Sequence, residues 1–185
     1  MTAAANPSQI QRAFSLRFAA VLGGAALLAL GSWASVPMIP VPTTLQTLAL
    51  FVIAGLAGPG LTFGALAVWL VLAAFGAPML AGFHGGWQAL TGPTAGFLLA
   101  FAAVGPLAAW AVPKTKGGDL FAVFLVGHSL VLLIGWAWLA VNVGPQQAFL
   151  AGVQPFFFAA IAKSAAATVI VMLAKARFPR VVSRP

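Results

Sequence analysis

From Phe18 to Pro113 not one residue carries a formal charge. A wet surface cannot be built from such a stretch. Soluble domains carry about 25% charged residues, whereas this 185-residue chain carries 5%, against 62% hydrophobic. An ordinary soluble domain, a disordered tail and a coiled coil are excluded. The chain is predicted to be all-α, an integral membrane bundle, read as one transmembrane domain over 1–185. No cysteine is present, which removes disulfides, thiolate zinc sites and thiol catalysis. The polar stretch Met1–Arg12 has no apolar run, and Phe14–Val36 is longer than a signal-peptide core of about 7–15 residues, so no cleavable signal is expected.

A membrane helix needs roughly 20 mostly apolar residues. Six candidates follow, at about 14–36, 44–58, 61–81, 93–112, 120–143 and 155–175. Each break has a physical reason. Pro37, Pro40 and Pro42 forbid a continued helix. Gly58-Pro59-Gly60 is a tight turn without a polar loop. Ala81–Gln88 is glycine-rich, Pro113–Asp119 is the charged loop, and Gly144-Pro145-Gln146-Gln147 is polar and uncharged.

An even number of crossings puts both termini on one side, and the cations assign that side. Arg12 and Arg17 stand at the head of the first helix, Lys114 and Lys116 lie between the fourth and fifth, and Lys175, Arg177, Arg180 and Arg184 stand at the end of the sixth and after it. With cytoplasmic termini, all of these fall inside, as the positive-inside rule requires of a plasma-membrane protein. The formal net charge of +8 is then a topology signal. The basic C-terminal tail is expected to meet anionic membrane lipid. A nucleic-acid partner is not expected, because no soluble basic face exists.

Lys163 is the exception. It lies about eight residues into the sixth helix, roughly 12 Å deep, which is too far to snorkel comfortably. An intramembrane lysine costs at least a few kcal/mol unless it meets a cavity or a partner. Two readings stand open. Lys163 is either a structural lysine bonded to helix-end carbonyls, or a ligand-binding lysine in an outward cavity whose natural partner is an anion.

Enzyme chemistry is not supported. Asp119 is the single acidic residue, so no catalytic carboxylate pair can form. No Walker A loop precedes Lys163-Ser164. His84 and His128 are too few for a metal site, which takes three or four ligands. His128 beside Ser129 is read as an interhelical hydrogen bond rather than a base–hydroxyl couple. No cofactor is expected.

The outer helix starts carry the polar groups. Thr43-Thr44-Leu45-Gln46-Thr47 opens the second helix, Thr91-Gly92-Pro93-Thr94-Ala95-Gly96-Phe97 the fourth, and Gln154-Pro155-Phe156 the sixth. Pro93 suits the first helical position, and the amides there, at the positive end of the helix dipole, make a candidate anion site. Trp33, Trp87, Trp136 and Trp138 flank these starts as interfacial anchors or pocket walls. Together they describe an outward pocket for a small, partly apolar ligand with an acidic end and a hydrogen-bonding end. In the first helix, Ala19 and Gly23, and Ala20 and Gly24, have small-xxx-small spacing, which serves either internal packing or an external partner.

Ala26–Ser32, Pro42–Leu48, Gly92–Phe97 and Pro155–Phe156 through Lys163, in that order over about residues 20–170, resemble the biotin transporter BioY family. These are the substrate-binding S components of energy-coupling-factor transporters. The resemblance implies capture of biotin from outside, with biotin as transported ligand. It implies partnership with a transmembrane coupling subunit and ATPase subunits, and it turns the Ala19, Ala20, Gly23, Gly24 face toward the coupling subunit. It implies substrate contacts from Lys163, Thr44, Gln46, Gly92, Pro93, Thr94, Phe97 and Phe156. Two positions depart from the family pattern: Ala159 and Ala160 stand where glycine and aspartate are common, and Phe97 where tyrosine is common. The competing expectations are a stand-alone carrier for biotin or another small carboxylate vitamin, and a structural subunit without ligand.

Overall fold

The computed structural model describes residues 7–112 and 119–178. Helix α1 spans Pro7–Trp33. A short antiparallel pair follows, β1 (Ser35–Val36) and β2 (Thr43–Thr44), with Ser35 opposite Thr44 and Val36 opposite Thr43. Then come α2 (Gln46–Ala74), a 3₁₀ turn (Ala81–Phe83), α3 (Trp87–Thr91) and α4 (Ala95–Ala111). The chain ends with α5 (Asp119–Val143), α6 (Pro145–Gly152), a 3₁₀ turn (Gln154–Phe156) and α7 (Phe157–Arg177).

Among the described residues, four helices are long and apolar enough to cross a membrane. They are Ser8–Trp33, Gln46–Ala74, Asp119–Val143 and Pro145–Arg177, the last running through α6 and α7; Ala95–Ala111 is a shorter apolar helix. The molecule is a multi-pass membrane protein. In place of six predicted long helices there are five among the described residues, and two of the predicted six, 44–58 and 61–81, fall mostly within the single element α2.

That element is broken inside. Gly58 has φ 76° and ψ 170°, a conformation open almost only to glycine, and Pro59 follows without an N–H to donate. The chain doubles back here. A Cβ on Gly24 would lie 2.7 Å from Ala65 Cβ and 3.8 Å from Ile53 Cδ1. In a straight helix Ile53 and Ala65 would stand about 18 Å apart, so both can meet Gly24 only if the halves of α2 run side by side. Thr62 Oγ1 closes the turn by donating to Gly58 O at 2.7 Å.

The second half stops at Ala74, not at 81 as its apolar sequence predicts. Gly76, at φ 90°, takes the left-handed position. Its N–H bonds Ala73 O, and Ala77 N–H bonds Leu72 O, both at 3.0 Å. That is the pair of bonds that closes a Schellman cap. The polar stretch after Gly144, predicted as a loop, is instead α6, with Pro145 in its first turn.

Apolar side chains fill the centre: Leu28, Leu50, Phe51, Leu66, Trp69, Phe124, Leu139 and Val171 are fully buried. Glycines let the helices close on one another. Gly55 faces Val171 and Phe124, which puts the Gly58 turn, the start of α5 and the end of α7 at one end. Arg12, Arg17, Lys175 and Arg177 belong to that end. Lys114, Lys116, Arg180 and Arg184 lie outside the described residues.

Candidate functional site

At the other end, the starts of α2, α4 and α7 and the middle of α5 surround a cavity of about 280 Å³. Loop residues Val41, Pro42, Leu80, Ala81 and His84 and α3 residue Ala89 complete the wall. Pockets that take small molecules are mostly apolar, with a few placed polar groups. This one has that character: Phe97, Leu98, Phe101, Val131, Leu132 and Phe156 supply the apolar lining. The polar residues are Thr44, Gln46, Thr47, His84, Thr94, His128 and Lys163.

Lys163 Nζ donates to Thr44 O at 2.6 Å, across 119 residues of sequence. One of three ammonium donors is thereby engaged. Both readings of this lysine therefore have a physical basis, since it holds a carbonyl before a helix start and it also faces the cavity. Thr44 in turn is held locally. Its Oγ1 donates to Gln46 Oε1 at 3.0 Å, and Gln46 Nε2 donates to Ser32 Oγ at 2.7 Å. Ser32 Oγ donates to Leu28 O at 2.8 Å and is fully buried. A continuous polar chain thus runs from Lys163 on α7 through β2 and the head of α2 into α1. In the sequence Ser32 stands out only as the end of the Ala26–Ser32 motif; its role follows from its burial.

Phe97 reaches the cavity because Gly135 on α5 gives it room: its ring occupies the space where a Cβ on Gly135 would sit. Of the predicted substrate residues, Lys163, Thr44, Gln46, Thr94, Phe97 and Phe156 line the cavity. Gly92 and Pro93 do not. Gly92 O accepts from Trp138 Nε1 at 3.0 Å and from Ala95 N, and Pro93 is exposed. The amides of Phe97 and Leu98 bond Thr94 O, so these first-turn amides are already satisfied within the chain.

The four outer tryptophans are absent from the cavity wall. Trp33 Nε1 donates to Pro78 O at 2.7 Å, Trp136 Nε1 to Pro145 O at 3.0 Å, and Trp138 Nε1 to Gly92 O. These three indoles pin segments around the cavity, whereas Trp87 is exposed. Trp33 also stacks on Phe83, with ring centroids 5.2 Å apart.

His128, 3% exposed, makes the predicted interhelical hydrogen bond: its Nδ1 lies 2.8 Å from Ser164 Oγ on α7. Ser129 is not involved; its hydroxyl bonds Leu125 O within α5. Among the described residues no group of three metal-ligating side chains forms. Of the small residues of α1, Ala19, Ala20 and Gly23 are exposed, whereas Gly24 is turned inward against α2.

A membrane bundle with a ligand-sized cavity beneath pinned segments defines a class, that of small-molecule binding membrane proteins. The chain belongs to the BioY family, whose model matches residues 4–180. It is 40% identical over 146 residues to the probable biotin transporter BioY of Pyrococcus horikoshii, covering 78% of this chain and 87% of that one. It is 38% identical over 150 residues to the biotin transporter BioY2 of Lactococcus lactis, covering 79% and 82%. The solved structure of the S-component for biotin from an ECF-type ABC transporter superposes with a TM-score of 0.78 at 25% identity, covering 94% of this chain and 95% of that one.

Proposed function

We propose that this chain captures biotin from outside the cell as the S component of an energy-coupling-factor transporter. The observation that carries this is the cavity: it is apolar over most of its wall and holds one lysine with donors to spare and no carboxylate. Biotin supplies what such a cavity takes, with an aliphatic tail and a thioether ring for the apolar lining and oxygen acceptors for Lys163. The relatives named biotin transporters and the superposition on a biotin S-component support the same ligand.

The two halves of α2 each cross the membrane in this proposal, giving six crossings with both termini cytoplasmic and the cavity open to the outside. Arg12, Arg17, Lys175 and Arg177 then mark the inner face and meet membrane lipid there. Energy comes from partner ATPase subunits through a transmembrane coupling subunit. Ala19, Ala20 and Gly23 are free to receive that coupling subunit, while Gly24 serves internal packing.

Equilibrium dialysis of the purified chain with labelled biotin tests the ligand, and absence of binding at micromolar biotin refutes it. Lys163→Met tests the contact. It is expected to weaken biotin by roughly 10-fold to 100-fold, the worth of a hydrogen bond to a charged group. Comparison with biotin amide identifies the oxygen: a selective loss for biotin marks the carboxylate, and an equal loss marks the ureido carbonyl. Unchanged affinity for both refutes a ligand role for Lys163 and leaves it as a strut under Thr44.

A further inference from the structure

One buried polar atom in the cavity wall has no partner. His128 lines the cavity and is 3% exposed, and its Nε2 makes no hydrogen bond. It is the sole such side-chain atom among the described residues. The ring is otherwise fixed. Nδ1 lies 3.0 Å from Phe124 O and 2.8 Å from Ser164 Oγ, and Phe51 packs on the ring with centroids 4.5 Å apart.

Those contacts assign the tautomer. Phe124 O can only accept, whereas Ser164 Oγ can either accept or donate, so the neutral tautomer that keeps both contacts carries its proton on Nδ1. Nε2 is then a bare lone pair. Protonating it would put a second cation into a cavity that already holds the Lys163 ammonium and is lined by no carboxylate. The unsatisfied atom is therefore an acceptor, and a buried acceptor selects for a donor.

We propose that His128 Nε2 accepts a hydrogen bond from an N–H of the bound ligand and so makes the site specific for a ligand with a buried N–H. This rests on the assignment of biotin as ligand. Biotin carries N–H groups only on its ureido ring; its tail is hydrocarbon, and its ionised carboxylate has no proton to give. The ureido ring accordingly lies against α5 at His128. The selectivity is of the kind that rejects an analogue lacking the bonded group, because a buried polar atom is then left unpaired.

The test compares biotin with its derivative methylated at both ureido nitrogens, using the full chain in lipid nanodiscs. The native protein is expected to prefer biotin by roughly 10-fold to 100-fold. His128→Phe keeps a ring and removes the acceptor; it is expected to bring the two affinities within about twofold of each other by weakening biotin alone. A preference that survives His128→Phe overturns the proposal. A second measurement leaves His128 in place. In ¹⁵N-histidine spectra of the native chain, assigned with His84→Gln, Nδ1 of His128 is expected to be protonated and Nε2 bare, and saturating biotin shifts the Nε2 resonance. A proton on Nε2, or a resonance indifferent to bound biotin, overturns the inference. A native chain that binds no biotin instead overturns the ligand assignment, while the tautomer still decides whether His128 offers an acceptor.

Discussion

Removal of the Ser32 hydroxyl tests the polar chain that supports Lys163. Ser32 Oγ accepts from Gln46 Nε2 at 2.7 Å in fully buried surroundings. Ser32→Ala leaves that amide donor without its partner, at a cost of about 1–3 kcal/mol. Leu28 O loses only an extra donor. Gln46→Leu leaves Ser32 Oγ still bonded to Leu28 O, but the Thr44 hydroxyl loses its acceptor, for a similar cost of about 1–3 kcal/mol. The double variant deletes both sides of the Ser32–Gln46 bond together. Its destabilisation is expected to fall short of the sum of the singles by about 1–2 kcal/mol, within the range of about 0.5–3 kcal/mol found for groups in one network. For a chain of this size 1 kcal/mol moves the midpoint by roughly 2–4 °C. Thermal melts of the four proteins in one detergent read that coupling. Biotin titrations of the same set report whether Thr44, and with it the carbonyl under Lys163, has shifted. Additivity within about 0.5 kcal/mol refutes the coupling.

Three further outcomes are expected. Gly135→Ala pushes a methyl group into the Phe97 ring, costs about 1–3 kcal/mol of stability and weakens biotin by displacing that ring, read by melting and dialysis together. Gly58→Ala forces a side chain into a backbone conformation kept almost wholly for glycine, so it costs about 1–3 kcal/mol, although no atom crowds the position; restored melting in Gly58→Asn would refute the need for glycine. Trp138→Phe keeps the ring and deletes the bond to Gly92 O, costs about 0.5–1.5 kcal/mol and raises amide hydrogen exchange around the Gly92 turn, with little change in exchange at Gly58.

Much of this organisation is legible in the residues. Gly58-Pro59-Gly60 marks a reversal because a second glycine follows the pair that combines a free φ with a missing N–H, whereas Gly105-Pro106 alone lies inside α4. Lys163 stands out because a lone cation among apolar residues demands a reason. Other features are hidden by their physics. The end of α2 at Ala74 depends on one left-handed glycine, while the sequence remains apolar beyond it. Gly92 and Pro93 precede a helix start whose first-turn amides, those of Phe97 and Leu98, look available for an anion. Whether they are free depends on Thr94 O, and whether Gly92 O is free depends on an indole 46 residues away. His128 and Ser164 are 36 residues apart, and nothing local distinguishes their pairing from the Ser129 neighbour. Gly24 and Gly23 share a motif, yet one helical step of about 100° separates a packed residue from an exposed one.

The doubling back of α2 also has a bearing on the solvent around the protein. Residues 46–57 rise about 18 Å and residues 59–74 about 24 Å, against a hydrocarbon core of roughly 30 Å. Phe63, Val71 and Leu72 expose apolar surface on the second of these segments. With each half crossing as proposed, the lipid-facing second half falls short of that core by about 6 Å, and the bilayer is expected to thin beside it at fractions of a kcal/mol per Å. Acyl-chain length becomes a variable of the protein's stability, and shorter-chain lipids are the better solvent for this side of the bundle.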